Sequence, residues 1–408
     1  MPANTTNFQE GGFDLAEKYV ANNDLFLLRQ EFFQTSTYID QFVYGQLWYW
    51  GSNGAGQLGT GAPTTSVVTP TQLGLLNNWR DVSCGANHTN FITNDGRLMG
   101  TGQTSVGNLG NSSAGANLSS PIFVGNDTNW VRFSENGNAS SVIARKTDNT
   151  LWAWGHNGFG QLGQGDTTHR SSPVQIGAGT NWRFVNSGYE TNLFIGPDNS
   201  LYGCGFGFLG QLAQGVTGGS ASVYSQLTTL KKTGSVANTD WSTASTNYQV
   251  TMAISNLGLL WGCGSSSTGA VGLNTVLNYS WLTQIGALNN WKYSANGQDT
   301  TICIKTDGTL WSWGNNTYGQ LGSGTVVHRS SPVQVGALTN WRKVSSHSTA
   351  QTSFHLLKMD GTMWSVGYNL IAGLGQGNYN NLSTITQVGT LNTWKRVKRG
   401  ANHGFAFR

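Results

Sequence analysis

The feature that most constrains this chain is a glycine- and tryptophan-rich unit that recurs seven times. Leu151–Gly165 reads LWAWGHNGFGQLGQG, and Leu310–Gly324 reads LWSWGNNTYGQLGSG. The last glycine of the LWxWG unit recurs at intervals of 50 to 59 residues, at Gly51, Gly102, Gly155, Gly205, Gly264, Gly314 and Gly367. A period of this size is typical of repeat proteins, in which one unit cannot bury its apolar face alone.

Two further markers keep the same register. One is a tryptophan, preceded by Asn or Asp in most copies, at Trp79, Trp130, Trp182, Trp241, Trp291, Trp341 and Trp394. The other is a GQLG unit that follows the LWxWG unit and is most regular at Gly56, Gly160 and Gly319. Fifteen of the 16 tryptophans belong to these markers, and only Trp281 does not. A tryptophan at a fixed place in each repeat predicts packing between neighbouring repeats.

One repeat, read from Trp291, contains four short β-favouring runs: WKYSA, TTICIK, TLWSWG and SPVQVG. The Asp-Gly pair before the third run is a tight-hairpin signal. Four antiparallel strands in about 50 residues make one propeller blade. The fold class is therefore predicted as all-β, a seven-bladed β-propeller.

The two ends of the repeat region complement each other. The first copy starts at its third run, LWYWG from Leu47, whereas the C-terminal stretch from Trp394 supplies only a first and a second run. We therefore expect residues 394–408 to complete the first blade and close the ring, which removes exposed sheet edges. This divides the chain into an N-terminal extension, 1–42, and a propeller, 43–408.

Composition excludes several classes of protein. The net charge of +4 is small and thinly spread, so no nucleic-acid partner is expected. No run of 18 apolar residues is present, so no membrane insertion is expected. The four cysteines lack CxxC spacing, which favours buried free thiols over a zinc site. We expect no metal site and no cofactor.

No catalytic constellation is visible either. GFGFLG, from Gly205 to Gly210, formally matches GxGxxG but has no βαβ context, so a dinucleotide site is not expected. The histidine pairs follow the repeat: His88 and His403 share GANH, and His169 and His328 share HRSSPVQ. These four histidines are predicted to have structural roles in turns. No Ser/His/Asp spacing brings the remaining histidines into a catalytic site. Asp95, Asp307 and Asp360 belong to Asp-Gly turns. The chain is predicted not to be an enzyme.

The repeat pattern resembles that of the regulator of chromosome condensation repeat family, over roughly Val43 to Arg408. The resemblance implies a seven-bladed ring closed by mixing N- and C-terminal strands. The family's founding activity is nucleotide exchange on a small GTPase at chromatin, and its basic DNA-contacting tail is absent here. Other propellers with such repeats are similar to inhibitors of β-lactamases, and many are binding platforms. Fold alone does not decide among these functions.

The N-terminal extension offers the first candidate contact residues. A short amphipathic helix is predicted after Asn23 and Asp24, with apolar residues at Leu25, Phe26, Leu28, Phe32 and Phe33. It would form either a plug on one face of the ring or an anchor to another protein. The stretch also resembles the leaders of repeat proteins in marine bacteriophages, where virion roles are suspected.

Two charged features supply the remaining candidates. The longest repeat interval contains an enlarged loop, from Val216 to Asp240, that carries Lys231 and Lys232. The closing strand carries Lys395, Arg396, Lys398 and Arg399, which predict a solvated strand face that an acidic partner could contact. Either feature is also consistent with an ordinary surface.

The functional hypothesis is a non-enzymatic protein–protein interaction propeller. The favoured role is a bacteriophage virion structural or decoration protein, anchored through its leader to other structural proteins, with a surface glycan or a host factor as further possible partners. The alternatives are a soluble cytoplasmic regulatory module, of the exchange-factor or inhibitor type, and a sugar-binding propeller.

Overall fold

A computed structural model describes seven stretches of the chain: 45–63, 66–112, 115–135, 140–215, 226–233, 240–347 and 352–408. These stretches form seven four-stranded antiparallel sheets and contain no helix. No membrane-spanning helix is therefore found among the described residues. The predicted helix that carries Leu25, Phe26, Leu28, Phe32 and Phe33 lies outside them.

Six sheets are continuous in sequence, and we number them as blades 1 to 6. Blade 1 contains β3 (Trp79–Cys84), β4 (His88–Thr93), β5 (Leu98–Gly102) and β6 (Leu118–Phe123). Blade 2 contains β7 (Trp130–Phe133), β8 (Ser141–Lys146), β9 (Leu151–Gly155) and β10 (Arg170–Gln175). Blade 3 contains β11 (Phe184–Ser187), β12 (Thr191–Ile195), β13 (Leu201–Phe206) and β14 (Gln226–Lys232).

Blades 4 to 6 follow the same order. Blade 4 contains β15 (Trp241–Thr246), β16 (Val250–Ser255), β17 (Leu260–Gly264) and β18 (Tyr279–Gln284). Blade 5 contains β19 (Trp291–Asn296), β20 (Thr300–Lys305), β21 (Leu310–Gly314) and β22 (Arg329–Gln334). Blade 6 contains β23 (Trp341–Ser346), β24 (Ser353–Lys358), β25 (Met363–Gly367) and β26 (Leu382–Gln387). The four runs predicted from Trp291 are thus the four strands of blade 5.

The seventh sheet, the closing blade, combines both ends of the ring. Its strand order is β2 (Val67–Gln72), β1 (Leu47–Gly51), β28 (His403–Phe407) and β27 (Arg396–Arg399). In β1 and β28, Leu47 pairs with Phe407 and Gly51 pairs with His403. Closure by N- and C-terminal strands is therefore confirmed.

The first strand of each blade lies nearest the axis of the ring. Successive first strands contact one another around the ring, as β3 does with β7 and β15 does with β19. The fourth strands are mostly half-buried or exposed, whereas second strands such as β4, β16 and β20 are buried throughout. Because strand direction alternates, the loops after the first and after the third strands emerge at one end of the ring. We call that end the loop face.

The glycine that ends LWxWG has a positive φ in all seven repeats, which explains why the unit ends in glycine. At Gly264 φ is +112°, and a Cβ there would lie 2.0 Å from the carbonyl oxygen of Gln249. The pairing register with the fourth strand shifts at this point, between Gly262 and Gly264. Any larger residue would therefore clash with the backbone at the start of the second strand, β16.

Hydrogen bonds between blades explain the tryptophans of the repeat. In each of three blades a buried indole donates to a carbonyl in the preceding blade's GQLG unit: Trp50 to Gly373 at 2.9 Å, Trp154 to Asn108 at 3.1 Å and Trp313 to Ala270 at 2.9 Å. Cys204 and Cys263 occupy the same strand position, and their thiols donate to Gln161 and Gln211 of the corresponding units. This position therefore links five of the blades to the blade before them.

Candidate functional site

Six charged side chains of the first strands, together with Glu135 just after β7, lie close to the ring axis. Within the described residues these are Asp81, Arg132, Glu135, Lys343, Arg396, Lys398 and Arg399. Arg396 Nη1 lies 2.8 Å from the Oδ1 atom of Asp81, and both side chains are almost fully buried. Lys343 Nζ lies 3.2 Å from Glu135 Oε2. The axis therefore contains an internal ionic network.

Burial and ion pairing oppose each other in this network. Burial raises the pKa of Glu135, but Arg132, Lys343 and Lys398 outweigh it and hold that pKa well below its usual range. Burial also lowers the pKa of Lys398 to about 8, although Glu135 opposes the shift. Lys398 Nζ additionally donates to the carbonyl oxygens of Ser134 and Glu135, at 3.0 and 2.7 Å. Both groups are thus charged at neutral pH.

These contacts correct the expectation of a solvated basic strand face. Arg396, Lys398 and Arg399 are buried, with 1–3% of their surface exposed. The strand that carries them, β27, is the first strand of the closing blade and so faces the axis instead of solvent. Lys395 is exposed, and contact with an acidic partner stays a prediction there.

Four buried histidines surround Arg399 or lie near it: His88, His347, His355 and His403. The two ring nitrogens of His88 and of His347 have no hydrogen-bond partner within the described part of the chain. Burial lowers the pKa of His88 to about 4. Burial, then Arg399 and His88, lower the pKa of His347 to about 3. The sequence did not group His347 with the other histidines, because the equivalent residue of blade 1 is Gly85 and not a histidine.

The turn role predicted for four repeat histidines is confirmed for His169 and His328 and is wrong for His88 and His403, whose buried rings bond no turn backbone within the described residues. The backbone N–H of Asn157 donates to His169 Nδ1 at 3.0 Å, and that of Asn316 donates to His328 Nδ1 at 2.9 Å. In blade 6, Asn381 accepts the same bond from Asn369. An asparagine can therefore replace this histidine.

The most distinctive surface feature is a group of five aromatic side chains on the loop face, which we call the aromatic cluster. Its members are Phe159, Tyr189, Phe206, Phe208 and Tyr248, and all five are partly exposed. Phe206 contacts Phe159 edge to face, with ring centroids 5.1 Å apart. Phe206 also stacks on Tyr248 at 6.1 Å, and Tyr248 contacts Tyr189 edge to face at 5.2 Å. The cluster joins blades 2, 3 and 4.

Backbone bonds fix the position of this cluster. The N–H of Phe206 donates to the carbonyl of Glu190 at 2.8 Å, which joins the end of β13 to the loop that carries Tyr189. Gln211 Nε2 donates to the carbonyl oxygen of Tyr248 at 3.0 Å. The rings are consequently held in place before any partner binds.

Two carboxylates, which we call the acidic pair, occupy one repeat position on the loop face, and one of them, Glu190, directly follows Tyr189 of the cluster. Glu190 and Asp299 are the last residues of the loops after the first strands of blades 3 and 5. The equivalent residue is Gln249 in blade 4 and Asn402 in the closing blade. Burial raises the pKa of Glu190 to about 7 and that of Asp299 to about 6. Neither side chain has an ion-pair partner within the described residues.

The sequence reasoning missed this site, although a signal was available. Phe206 and Phe208 lie in GFGFLG, which the sequence pattern matches only to the GxGxxG nucleotide-binding motif. At the position of Phe206 the first and fifth repeat copies have Ser52 and Ser265. Aligning the seven repeats shows surface positions where one copy has an aromatic residue and other copies do not, and such a comparison identifies this site.

The lysines assigned to the enlarged loop lie elsewhere. Lys231 and Lys232 belong to the outer strand β14, and Lys232 Nζ lies 3.8 Å from Asp198 Oδ2. The loop prediction is wrong for them because the strand extends through both residues. A role in partner contact stays a prediction, since both are exposed.

Cysteine and metal chemistry offer no further site in the described part of the chain. All four cysteines are free and buried, as predicted, and burial raises the pKa of Cys84 to about 12. No group of three or more His, Cys, Asp and Glu side chains there could hold a metal ion.

Comparison with known sequences identifies the repeat. The profile described as "Regulator of chromosome condensation (RCC1) repeat" matches residues 44–92, 148–195 and 307–350, and a second profile of that description matches 79–108. The ultraviolet-B receptor UVR8 of Arabidopsis thaliana is 27% identical over 57% of this chain and 52% of its own length. The X-linked retinitis pigmentosa GTPase regulator of Canis lupus familiaris is 30% identical over 33% of this chain and 14% of its own length. The chain thus spans about half or less of these relatives.

Comparison with solved structures agrees on the fold. Human WBSCR16 superposes with a TM-score of 0.77 at 18% identity, covering 89% of this chain and 99% of its own. Prp20p of Saccharomyces cerevisiae, which was studied for its binding to Gsp1p and histones, superposes with a TM-score of 0.78 at 16% identity, covering 91% and 93%. Identities this low establish the seven-bladed fold alone.

Proposed function

Because the chain belongs to the regulator of chromosome condensation repeat family, we propose that it acts by binding another protein through its loop face, without catalysis. The observation that carries this proposal is the aromatic cluster. Partly exposed Tyr and Phe residues are enriched at protein interfaces, where a few large side chains supply most of the binding energy. The surrounding loops are built mainly from Asn, Ser, Thr and Gly, which suits a polar rim.

Rigidity of the cluster supports the same proposal. The rings contact one another across three blades, and each supporting loop is hydrogen-bonded to its neighbour. A partner would therefore order few side chains on this surface, which lowers the entropic cost of association.

Capture experiments with repeat-derived variants test the proposal. Phe206→Ser and Tyr248→Ala introduce residues that other repeats have at these positions, at Ser265 and Ala401. Tyr318→Thr is the matched control, since it removes an aromatic residue from the loop face of blade 5 and copies Thr268. We expect the wild type and the control to capture one defined protein by cross-linking in extracts of the native source, and the two cluster variants to lose it. Equal capture by all four proteins would contradict the proposal.

The finer proposal concerns where this binding takes place. The leader's resemblance to those of bacteriophage repeat proteins supports a virion structural or decoration protein, anchored through residues 1–42. Mass photometry and pull-down from the native source would compare the full chain with a chain that starts at Val43. Assembly, or capture of a large structural protein, by the full chain alone would support anchoring. Identical behaviour of the two chains would favour a regulatory module that binds through the ring.

A further inference from the structure

We propose that the partner presents a lysine or arginine side chain to the loop face, where the cation lies against Glu190 and the rings of Tyr189 and Tyr248. This inference rests on the proposed function, because it specifies the chemistry of the partner at the aromatic cluster. It commits to a polypeptide with exposed basic residues, as opposed to a neutral sugar or an acidic surface.

The first argument is the incomplete environment of Glu190. Its backbone is fixed by the hydrogen bond from Phe206 N–H, so the side chain starts from a defined point within the cluster. The carboxylate is partly buried but has no ion pair in the described residues. Burial without a compensating charge is unfavourable, as the pKa near 7 reflects. A cation from outside the chain would supply the missing compensation.

The second argument is the chemistry of the adjacent rings. The faces of Tyr and Phe rings attract cations through the ring quadrupole, and this attraction grows when the cation is desolvated. Tyr189 and Tyr248 meet edge to face at an interplanar angle of 87°, and both side chains are partly exposed. A methylene stem can pack on these rings while its charged end reaches a carboxylate.

The same chain already uses this arrangement with its own lysines. Lys305 Nζ lies 3.8 Å from the ring centroid of Trp311 and 4.7 Å from that of Trp291. Lys358 lies in the same way between Trp341 and Trp364. Among the described residues, no lysine or arginine lies over a ring of the aromatic cluster. The cluster therefore offers a surface of this type with the cation missing.

The third argument is the second member of the acidic pair. Asp299 repeats the position of Glu190 two blades further around the ring, and it too is partly buried without an ion pair. Blade 1 and the closing blade have the neutral Asn87 and Asn402 at this position. At this repeat position the negative charge is thus confined to blades 3 and 5, which suits a segment with more than one basic residue.

Selection of peptides tests this chemistry without a known partner. A displayed library of random short peptides is selected on the full chain, and the best binders are synthesised and measured by fluorescence anisotropy. Glu190→Asn and Asp299→Asn copy the asparagine of other repeats at this position. Asp240→Asn is the control: it removes one exposed carboxylate at the opposite end of the ring and copies Asn290.

We expect the selected peptides to contain Lys or Arg and to bind Glu190→Asn about tenfold more weakly, with a smaller loss for Asp299→Asn. Acetylation of the peptide lysine should cause a similar loss, whereas Asp240→Asn should bind like the wild type. Binders without basic residues, unchanged affinity for Glu190→Asn, or preferential binding of neutral oligosaccharides on a glycan array would overturn the inference.

One comparison separates this inference from the function on which it rests. Peptides that lose binding to Phe206→Ser but not to Glu190→Asn would leave the aromatic cluster as a binding site and remove the cationic partner. Peptides that bind both variants with the same affinity as the wild type, together with unchanged protein capture by Phe206→Ser, would contradict the proposed function itself.

Discussion

The indole Nε1 of Trp50 donates a hydrogen bond to the carbonyl oxygen of Gly373, 2.9 Å away across 323 residues of sequence. Trp50 is fully buried and also contacts the ring of His355, with centroids 5.0 Å apart. It belongs to β1, so this bond fastens the N-terminal strand of the closing blade to blade 6. Closure of the ring therefore uses the same indole-to-carbonyl hydrogen bond that joins other neighbouring blades.

Replacement of Trp50 tests that contribution. Trp50→Phe removes the indole donor and part of the buried volume, and we expect the free energy of unfolding to fall by about 1–3 kcal/mol. Trp281→Phe is the matched control, because Trp281 is 43% exposed on the outer strand of blade 4 and should change stability by less than about 0.5 kcal/mol. Urea unfolding measures both. A loss for Trp50→Phe no larger than that of the control would mean that the bond does not stabilise closure.

The glycines at the end of LWxWG give a second prediction. At Gly264, alanine would adopt an unfavourable φ and place its Cβ 2.0 Å from a backbone oxygen, so we expect Gly264→Ala to cost about 3 kcal/mol or more. Gly286 also has a positive φ, but its Cβ direction is open, so Gly286→Ala should cost only about 1 kcal/mol. Thermal and urea unfolding of the two variants would distinguish steric contact from backbone preference. Equal losses would show that the close approach to Gln249 has no effect.

The repeat made the fold predictable, because its markers occupy equivalent structural positions. Gly205 and Gly264 end LWxWG since the backbone there permits nothing larger, and Trp154 and Trp313 recur because each reaches the preceding blade. The complementary chain ends predicted closure for a related reason: an unpaired strand edge at Leu47 would be unfavourable.

The site was not predictable in the same way, because it consists of departures from the repeat. The sequence predicts that Arg396 and Lys398 lie on a solvated face of a basic strand, because sequence alone does not show that the first strand of a blade faces the ring axis. Their partners Asp81 and Glu135 lie more than 260 residues away. Phe206 and Tyr248 become neighbours only when blades 3 and 4 pack together.

The buried histidines predict that the ring loses stability in mild acid. The folded pKa of His88 is about 4 and that of His347 about 3, whereas an unfolded histidine titrates near 6.5. The unfolded chain therefore binds more protons as the pH falls from about 6.5 toward 4, and the free energy of unfolding decreases across that window. Each histidine contributes a loss of about 2 kcal/mol between pH 7 and pH 5. Glu190 and Asp299, whose pKa values are raised, oppose the loss from these two histidines by a similar total as they become protonated. The net loss therefore comes from His355 and His403, whose pKa values burial holds well below the usual range.

Two asparagine variants separate the contribution of one histidine. His347→Asn copies Asn247 of blade 4 and should flatten the pH dependence measured by urea unfolding at pH 7 and pH 5. His169→Asn copies Asn381 of blade 6 at an exposed site and is the control for replacing a turn histidine by asparagine. Parallel pH profiles for wild type and His347→Asn would refute this account.

The axial ion pair gives a prediction in which two substitutions cost less than one. Asp81 accepts hydrogen bonds from Arg396, from its neighbour Val82 N–H and from Phe133 N–H across the blade boundary. Asp81→Asn weakens these contacts and removes the carboxylate that Arg396 Nη1 contacts in a buried place, so we expect a loss of about 3–5 kcal/mol in the free energy of unfolding. Adding Arg396→Met removes the buried guanidinium that Asp81 had contacted and should restore part of that loss. An exposed pair is the control: Lys232→Met, which removes the contact with Asp198, should change stability by about 0.5 kcal/mol or less. If the double variant is less stable than Asp81→Asn, Arg396 stabilises the axis by contacts that do not depend on Asp81.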